Sequence, residues 1–280
     1  MSSESKERKP DSPEGGVTLP SARTGVRAAS AWGPPRGALA AVHNLEALLR
    51  SAAVPQKTML DLTPELRGSA GVLRQVVDRA LTQGDAKQEV GAYGVARTAE
   101  LDALLDAVEV GAGDREQLAG RARRLADELE AVIDLLALLD LADAPLSTEV
   151  GLDFVAREAG RMSGTARGRE VVLRFDGANP DRAVSVDPYA LGGLLALLVA
   201  CVQSSGAESL VLRARAAGQA RFIVEPSTPA DESLPTLSIR VMTRIGPSVR
   251  AACRVAEQLG GSLQLSDGRG AIAFGSAPDD

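Results

Sequence analysis

The chain has 280 residues and a mass of 29.0 kDa, which leaves room for two modest domains. Its formal net charge of -6 and its pI near 5.1 argue against a nucleic-acid surface, which needs clustered Lys and Arg. Apolar runs stay shorter than the roughly 18 to 20 residues of a membrane span, and the first residues lack the apolar core of a signal peptide, so we expect a cytoplasmic protein that binds neither nucleic acid nor membrane.

The N-terminal part predicts a tail followed by helices. Residues 1–35 are rich in Ser, Pro, Gly and charge, so we expect a disordered tail. Helices are expected at 36–53, 63–83, 90–110 and 114–143. Thr63 before Pro64 is typical of a helix N-cap, which places the start of the second helix there. Residues 36–145 are therefore expected to form a helical bundle, completed either within one chain or by dimerisation.

The fourth helix has the clearest periodicity. Apolar residues recur along it in an a/d pattern: Leu118, Ala122, Leu125, Leu129, Val132, Leu136 and Leu139. This pattern predicts a helix whose apolar seam lies in a bundle core. The acidic residues Glu128, Glu130 and Asp134 are expected on its surface.

The remaining residues, 146–280, mix both kinds of element. A helix is expected at 147–167, then strands at 170–175 and 183–186, and a long apolar helix after Asp187. Strands at 209–214 and 221–224, a loop, a helix from Val249 with a Gly260–Gly261 C-cap, and a closing hairpin complete the order. The chain is therefore expected to be α+β, with a helical bundle followed by an α/β sandwich.

This order and its apolar patterns resemble the histidine kinases. Leu-Leu-Ala-Leu-Leu-Asp at 135–140 is similar to the second helix of their dimerisation and phosphotransfer hairpin. The helix from Asp187-Pro-Tyr-Ala-Leu-Gly-Gly resembles the first ATP-site helix of their GHKL-type ATPase domain. The resemblance covers residues 90–278. It implies a two-component signalling protein whose sandwich resembles the histidine-kinase ATP-binding domain.

The residues that the family uses to hold nucleotide are absent at the matching positions. The two asparagines that hold Mg²⁺ and phosphate correspond to Ala196 and Ala200, which have no oxygen ligand to offer. The adenine-reading motif corresponds to Glu225 in Glu-Pro-Ser-Thr-Pro, and only Gly246, followed by Pro247, remains of the phosphate-covering loop. We expect a pseudokinase-like fold with no cofactor.

The only histidine, His43, is the candidate phosphoacceptor. On a helical wheel it lies opposite an apolar face that includes Ala41, Leu45 and Leu48, so it is expected to face solvent. Val42-His-Asn-Leu-Glu-Ala-Leu-Leu resembles the acceptor stretch of some kinases. A rival alignment puts Pro64 at the acceptor position and leaves no active site. With one histidine and two cysteines on apolar helix faces, no metal site or nucleophile triad is expected.

The sequence favours a non-catalytic signalling scaffold or adaptor, which binds a response-regulator receiver domain or a histidine kinase and can form a homodimer through its bundle. One alternative is an enzyme, either a histidine phosphotransferase relaying phosphate through His43 or a divergent active sensor histidine kinase. Another is a structural assembly protein that uses the bundle only to oligomerise.

Overall fold

Four helices form the N-terminal half of the chain in the computed structural model, which describes residues 23–151, 169–177, 183–204, 206–215, 220–266 and 268–274. The helices are α1 (Arg23–Arg50), α2 (Gln56–Ala80), α3 (Asp85–Glu109) and α4 (Arg115–Asp143). Each packs against its neighbour in sequence, and α1 also packs against α4. The bundle is therefore closed within one chain.

The predicted apolar seam of α4 is confirmed, because all seven of its residues are buried. Its N-terminus begins where the sequence predicts: the Asp114 side chain accepts a hydrogen bond from the Gln117 backbone N–H at 3.1 Å. Towards its C-terminus α4 is buried on further faces, where Ala131, Leu135 and Leu138 join a core shared with the rest of the chain. Among residues 131–143 of this helix, only Asp140 and Asp143 are exposed.

The C-terminal half contains two sheets. Strands β1 (Thr148–Gly151) and β3 (Ala183–Val186) form an antiparallel pair. The larger sheet has six strands in the order β6-β2-β4-β5-β8-β7. Its strands are β2 (Arg169–Asp176), β4 (Leu210–Arg215), β5 (Ala220–Pro226), β6 (Thr236–Val241), β7 (Gly261–Ser266) and β8 (Arg269–Phe274). Only β2 and β4 run parallel, so the sheet is mixed.

Two further helices lie between the sheet and the bundle. Helix α5 (Pro188–Gln203) packs on β5, β6 and β8, and α6 (Ser248–Gln258) packs on β7. On their other side, α4 contacts both of them and α3 contacts α6. The architecture is the predicted α+β arrangement, with the bundle and the sheet sharing one apolar core through α4, α5 and α6. Within the described residues, no helix combines the length and apolarity that a membrane crossing requires.

Several predicted boundaries at the N-terminus are wrong. Helix α1 begins at Arg23 and includes Pro34 and Pro35, so it takes in residues assigned to the tail; residues 1–22 lie outside the described part. Thr63 is not an N-cap. It lies inside α2, where its hydroxyl donates a 3.0 Å hydrogen bond to the Met59 carbonyl. The helix instead begins just after Pro55, because its first turns pack in the bundle core through Met59.

Two differences affect the sandwich. The segment 147–167, predicted as a helix, opens with β1, and residues 152–168 lie outside the described part. Strand β6 occupies residues that the sequence assigned to a loop. It pairs antiparallel with β2, with Leu173 opposite Leu237, and buries Ile239 and Val241.

Candidate functional site

Helix α5 carries the two positions at which the resemblance would place metal-binding asparagines. Asp187 caps its N-terminus, accepting hydrogen bonds from the Tyr189 and Ala190 backbone N–H groups at 2.9 and 3.0 Å. Every residue in the range 190–202 is buried. Ala196 is 0% exposed and Ala200 is 7% exposed. Neither position opens onto a surface that could receive a nucleotide.

Helix α4 approaches α5 closely at Gly193. An alanine Cβ at Gly193 would lie 2.7 Å from Leu138 Cδ1, closer than Cβ atoms approach other carbons in proteins. Positions 193, 196 and 200 are three and seven residues apart, so they share one face of α5. The face of α5 that carries Ala196 and Ala200 therefore packs against Leu138 of the bundle at Gly193.

Glu225, the position that corresponds to the adenine-reading acid, is held by two arginines. Its carboxylate accepts from Arg213 Nε at 2.9 Å and pairs with Arg269 Nε at 3.2 Å. Arg213 also donates to Asp176 and to Asp231, each at 2.5 Å. We call Arg213, Asp176, Glu225 and Asp231 the Arg213 cluster. It joins β2, β4 and β5 and leaves the Glu225 carboxylate already occupied by protein donors.

Asp231 caps the acidic loop after β5. Its carboxylate accepts from the Thr228 backbone N–H at 2.8 Å and from the Thr228 hydroxyl at 2.9 Å, which closes a capping box on the short 3₁₀ helix Pro229–Ser233. The hydrogen bond from the Thr228 backbone, together with the one from Arg213, lowers the pKa of Asp231. The loop is thus fixed by its own residues.

Gly246 precedes a tight turn into α6. The Ile245 backbone N–H donates to the Ser248 hydroxyl at 2.8 Å, and Ser248 is fully buried. Next to this turn, an added Cβ at Gly246 would meet the Tyr93 ring of α3 at 3.9 Å. The turn that replaces the phosphate-covering loop therefore lies beside the bundle.

His43 is buried, which contradicts the prediction that it faces solvent. Only 8% of its side chain is exposed. Because α1 packs between α2 and α4, its buried arc extends over about 160°, from Leu45 to His43. Ala41 and Leu48, expected on the buried face, remain partly exposed. The helical wheel identifies the apolar face of α1. It cannot show that α4 covers the polar side of α1, where His43 lies.

The side chains opposite His43 come from α4. His43 Nε2 lies 3.5 Å from Glu130 Oε2, and Asp127 is one turn before Glu130 on the same face. Asp134 follows one turn later and lies 3.5 Å from Arg36 of α1. The sequence predicted Glu130 and Asp134 on the surface of α4. They lie instead in its contact with α1. The spacing of 127, 130 and 134 was the available signal that they share a face.

Burial changes the ionisation of these acids. It raises the pKa of Asp134 to about 6, while Arg36 opposes the shift and Glu130 adds to it. Burial likewise raises the pKa of Asp127, and here the opposing charges are His43 and Arg123. The α1–α4 contact thus combines an apolar core with a row of partly buried acidic side chains.

Comparisons with known proteins include a distant structural similarity. No family model matches the chain, and no curated protein sequence matches it. Among solved structures it is similar to the Acinetobacter baumannii histidine kinase AdeS, with 15% sequence identity and a TM-score of 0.45, covering 64% of this chain and 94% of that one. At this level of similarity nothing about activity follows for this chain.

Proposed function

We propose that the chain is a non-catalytic signalling scaffold or adaptor of the two-component type, which binds a receiver domain or a histidine kinase without using ATP. The observation that carries this proposal is the burial of Ala196 and Ala200 on a helix face turned towards α4. A hard cation such as Mg²⁺ needs several oxygen ligands, and alanine supplies none. A nucleotide would also have to separate α5 from α4 to reach these positions.

Two further features support the absence of nucleotide chemistry. The Glu225 carboxylate is paired with Arg213 and Arg269, so reading an adenine amine would require breaking these ion pairs. Pro247, which follows Gly246, has no backbone N–H with which to hold a phosphate oxygen. Each departure removes a different part of the implied nucleotide site.

The bundle is the surface that we propose for partner binding. The class of partner, a receiver domain or a kinase, rests on the resemblance of the bundle and sandwich to two-component proteins. Because α1 to α4 close within one chain, a homodimer would join complete bundles and would not be needed to complete one.

The burial of His43 favours the scaffold over the phosphotransferase. An acceptor imidazole must reach the phosphoryl group of its donor in line, and only 8% of this side chain is exposed. The neighbouring carboxylates of Glu130 and Asp127 would also repel an incoming phosphoryl group. A relay through His43 would require α1 and α4 to separate.

The nucleotide part of the proposal is tested by thermal unfolding with millimolar ATP and Mg²⁺. A ligand that binds only the folded state at a hundredfold excess over Kd stabilises it by about 2.7 kcal/mol. We expect no rise in Tm, and a histidine kinase that binds ATP serves as the positive control. A clear rise would contradict the proposal and favour a divergent active kinase.

The choice between scaffold and relay is tested with a phosphorylated receiver domain. We expect the receiver domain to bind this chain and no acid-labile label to appear on it. The matched variant is His43→Gln, which keeps the side-chain volume but removes the imidazole. Label on the wild type that is lost in His43→Gln would make the chain a phosphotransferase. Failure of receiver domains and kinases to bind would leave the alternative of a structural assembly protein.

A further inference from the structure

Three side chains with metal-ligand chemistry converge between α1 and α4. The candidate donor atoms of His43, Asp127 and Glu130 all lie within 4.8 Å of one another. Asp127 and Glu130 are three residues apart, so both carboxylates lie on the face of α4 that packs against α1. We call these three residues the His43 cluster.

His43 Nε2 is the unusual atom of this cluster. It is shielded from solvent and has no hydrogen-bond partner among the residues that the structure describes. Buried polar nitrogens are nearly always paired, because an unpaired one forfeits its interaction with water without replacement. The nitrogen is directed at the Glu130 carboxylate, 3.5 Å away, which is too long for a good hydrogen bond.

The charges around the cluster favour a cation. Besides Asp127 and Glu130, the carboxylate of Glu46 on α1 acts on this site, and raises the pKa of Asp127 as Glu130 does. His43 and Arg123 oppose that shift, and Arg50 pairs with Glu46 at 3.3 Å. Three carboxylates therefore act on a site that contains one imidazole.

We propose that His43, Asp127 and Glu130 bind one divalent transition-metal ion of the zinc type, through His43 Nε2 and one oxygen of each carboxylate. Two ligand atoms at 2.0–2.2 Å from a tetrahedral ion lie roughly 3.4 Å apart. The 3.5 Å separation of His43 Nε2 and Glu130 Oε2 therefore already suits such an ion.

Asp127 supplies the third ligand. Its donor oxygen lies within 4.8 Å of the other two donor atoms and moves inward when the ion binds, and its partial exposure gives the ion a route from solvent. Water takes the fourth position. The imidazole ligand favours zinc, cobalt or nickel over Mg²⁺ and Ca²⁺, which prefer oxygen alone. A bound ion would fasten α1 to α4 and occupy the nitrogen that a phosphorelay would use.

The test uses the full-length chain without a histidine tag, stripped of metal with a chelator and titrated with Co²⁺. The visible absorption bands of tetrahedral Co²⁺ should reach a plateau at one ion per chain. Added Zn²⁺ should abolish these bands by displacing the Co²⁺. We expect Glu130→Gln and Asp127→Asn, which preserve side-chain size, to weaken binding at least about tenfold. Glu128→Gln is the matched control, because Glu128 lies on the same helix but pairs with Arg97 and Tyr93 of α3. The affinity of this variant for Co²⁺ should equal that of the wild type.

Imidazole ¹⁵N NMR of the wild type gives a second readout that needs no variant. His43 is the only histidine, so a single imidazole signal reports on the site. Zn²⁺ should shift the Nε2 resonance to that of a metal-bound nitrogen. The proposal would be overturned by an absence of saturable binding or by equal affinity in all variants. It would also be overturned by an imidazolium with both nitrogens protonated in the presence of Zn²⁺, a result that would leave an ion pair between His43 and Glu130.

Discussion

Leu138 of α4 packs directly on Gly193 of α5, and this contact joins the helical bundle to the layer of helices on the sheet. The absence of a side chain at Gly193 lets the two helices approach, and Leu138 fills the space. Ala196 and Ala200, which share this face of α5, are buried as well. The junction between the two parts of the chain is therefore an apolar core contact.

We predict that Gly193→Val destabilises the fold by roughly 1–3 kcal/mol, because the added isopropyl group overpacks the α4–α5 contact. The matched control is Gly120→Val on α4, where an added Cβ meets no atom within 4 Å. That control should change stability by about 0.5 kcal/mol or less. Urea denaturation followed by circular dichroism measures both, and equal effects would show that α4 and α5 are not in close contact.

Asp134 should make stability depend on pH. Its folded-state pKa is raised from 3.8 to about 6, so ionising it costs more in the fold than in the unfolded chain. The wild type should therefore lose stability as the pH rises from about 4 to about 6, and level off above that. Asp134→Asn cannot ionise and should gain stability relative to the wild type across this window. Since 28% of the side chain is exposed, we expect a gain on the order of 1 kcal/mol at pH 7.

The pH profile of the difference is the informative measurement. Chemical denaturation of both proteins at pH 4 and pH 7 separates the titration from a constant packing effect. A stability difference that is the same at both pH values would contradict a raised pKa at Asp134.

Arg213→Met should lower Tm, because it leaves three carboxylates of the Arg213 cluster without their shared cation. The control is Arg254→Met, since the Arg254 side chain is 54% exposed and pairs only with Glu257 at 3.7 Å among the ion pairs of the described residues. The lowered pKa of Asp231 means that its contribution to stability is present above the unfolded pKa and is lost as pH falls through the lower folded value. The Tm difference between wild type and Arg213→Met should therefore shrink below about pH 4. A difference that stays constant with pH would argue against this role for the ion pairs.

Elements with strong periodicity could be predicted from the sequence. The a/d pattern of α4 predicted seven of its buried residues, and Asp187 before Pro188 marked the start of α5. Strand β6 had a usable signal as well, since Leu237, Ile239 and Val241 alternate with polar residues.

The side chains around His43 could not be placed from one helix alone. A helical wheel shows which side of α1 is apolar, but burial of His43 depends on α4 covering the polar flank. The Arg213 cluster depends on strand register. Arg213 is paired with Ile223 in the β4–β5 register, while its charge partners come from β2, from β5 and from the loop after β5. Neither the packing of α4 nor the strand register can be read from local sequence.

Helix α4 spans both parts of the chain, and this has a consequence for any complex that the protein forms. Its 29 residues make a rod about 43 Å long, with one end in the bundle core and the other against α5 and α6. A rod of this kind cannot shorten or bend freely once both ends are packed. Two partners bound at opposite ends of the molecule would thus be kept at a fixed distance and orientation by this helix.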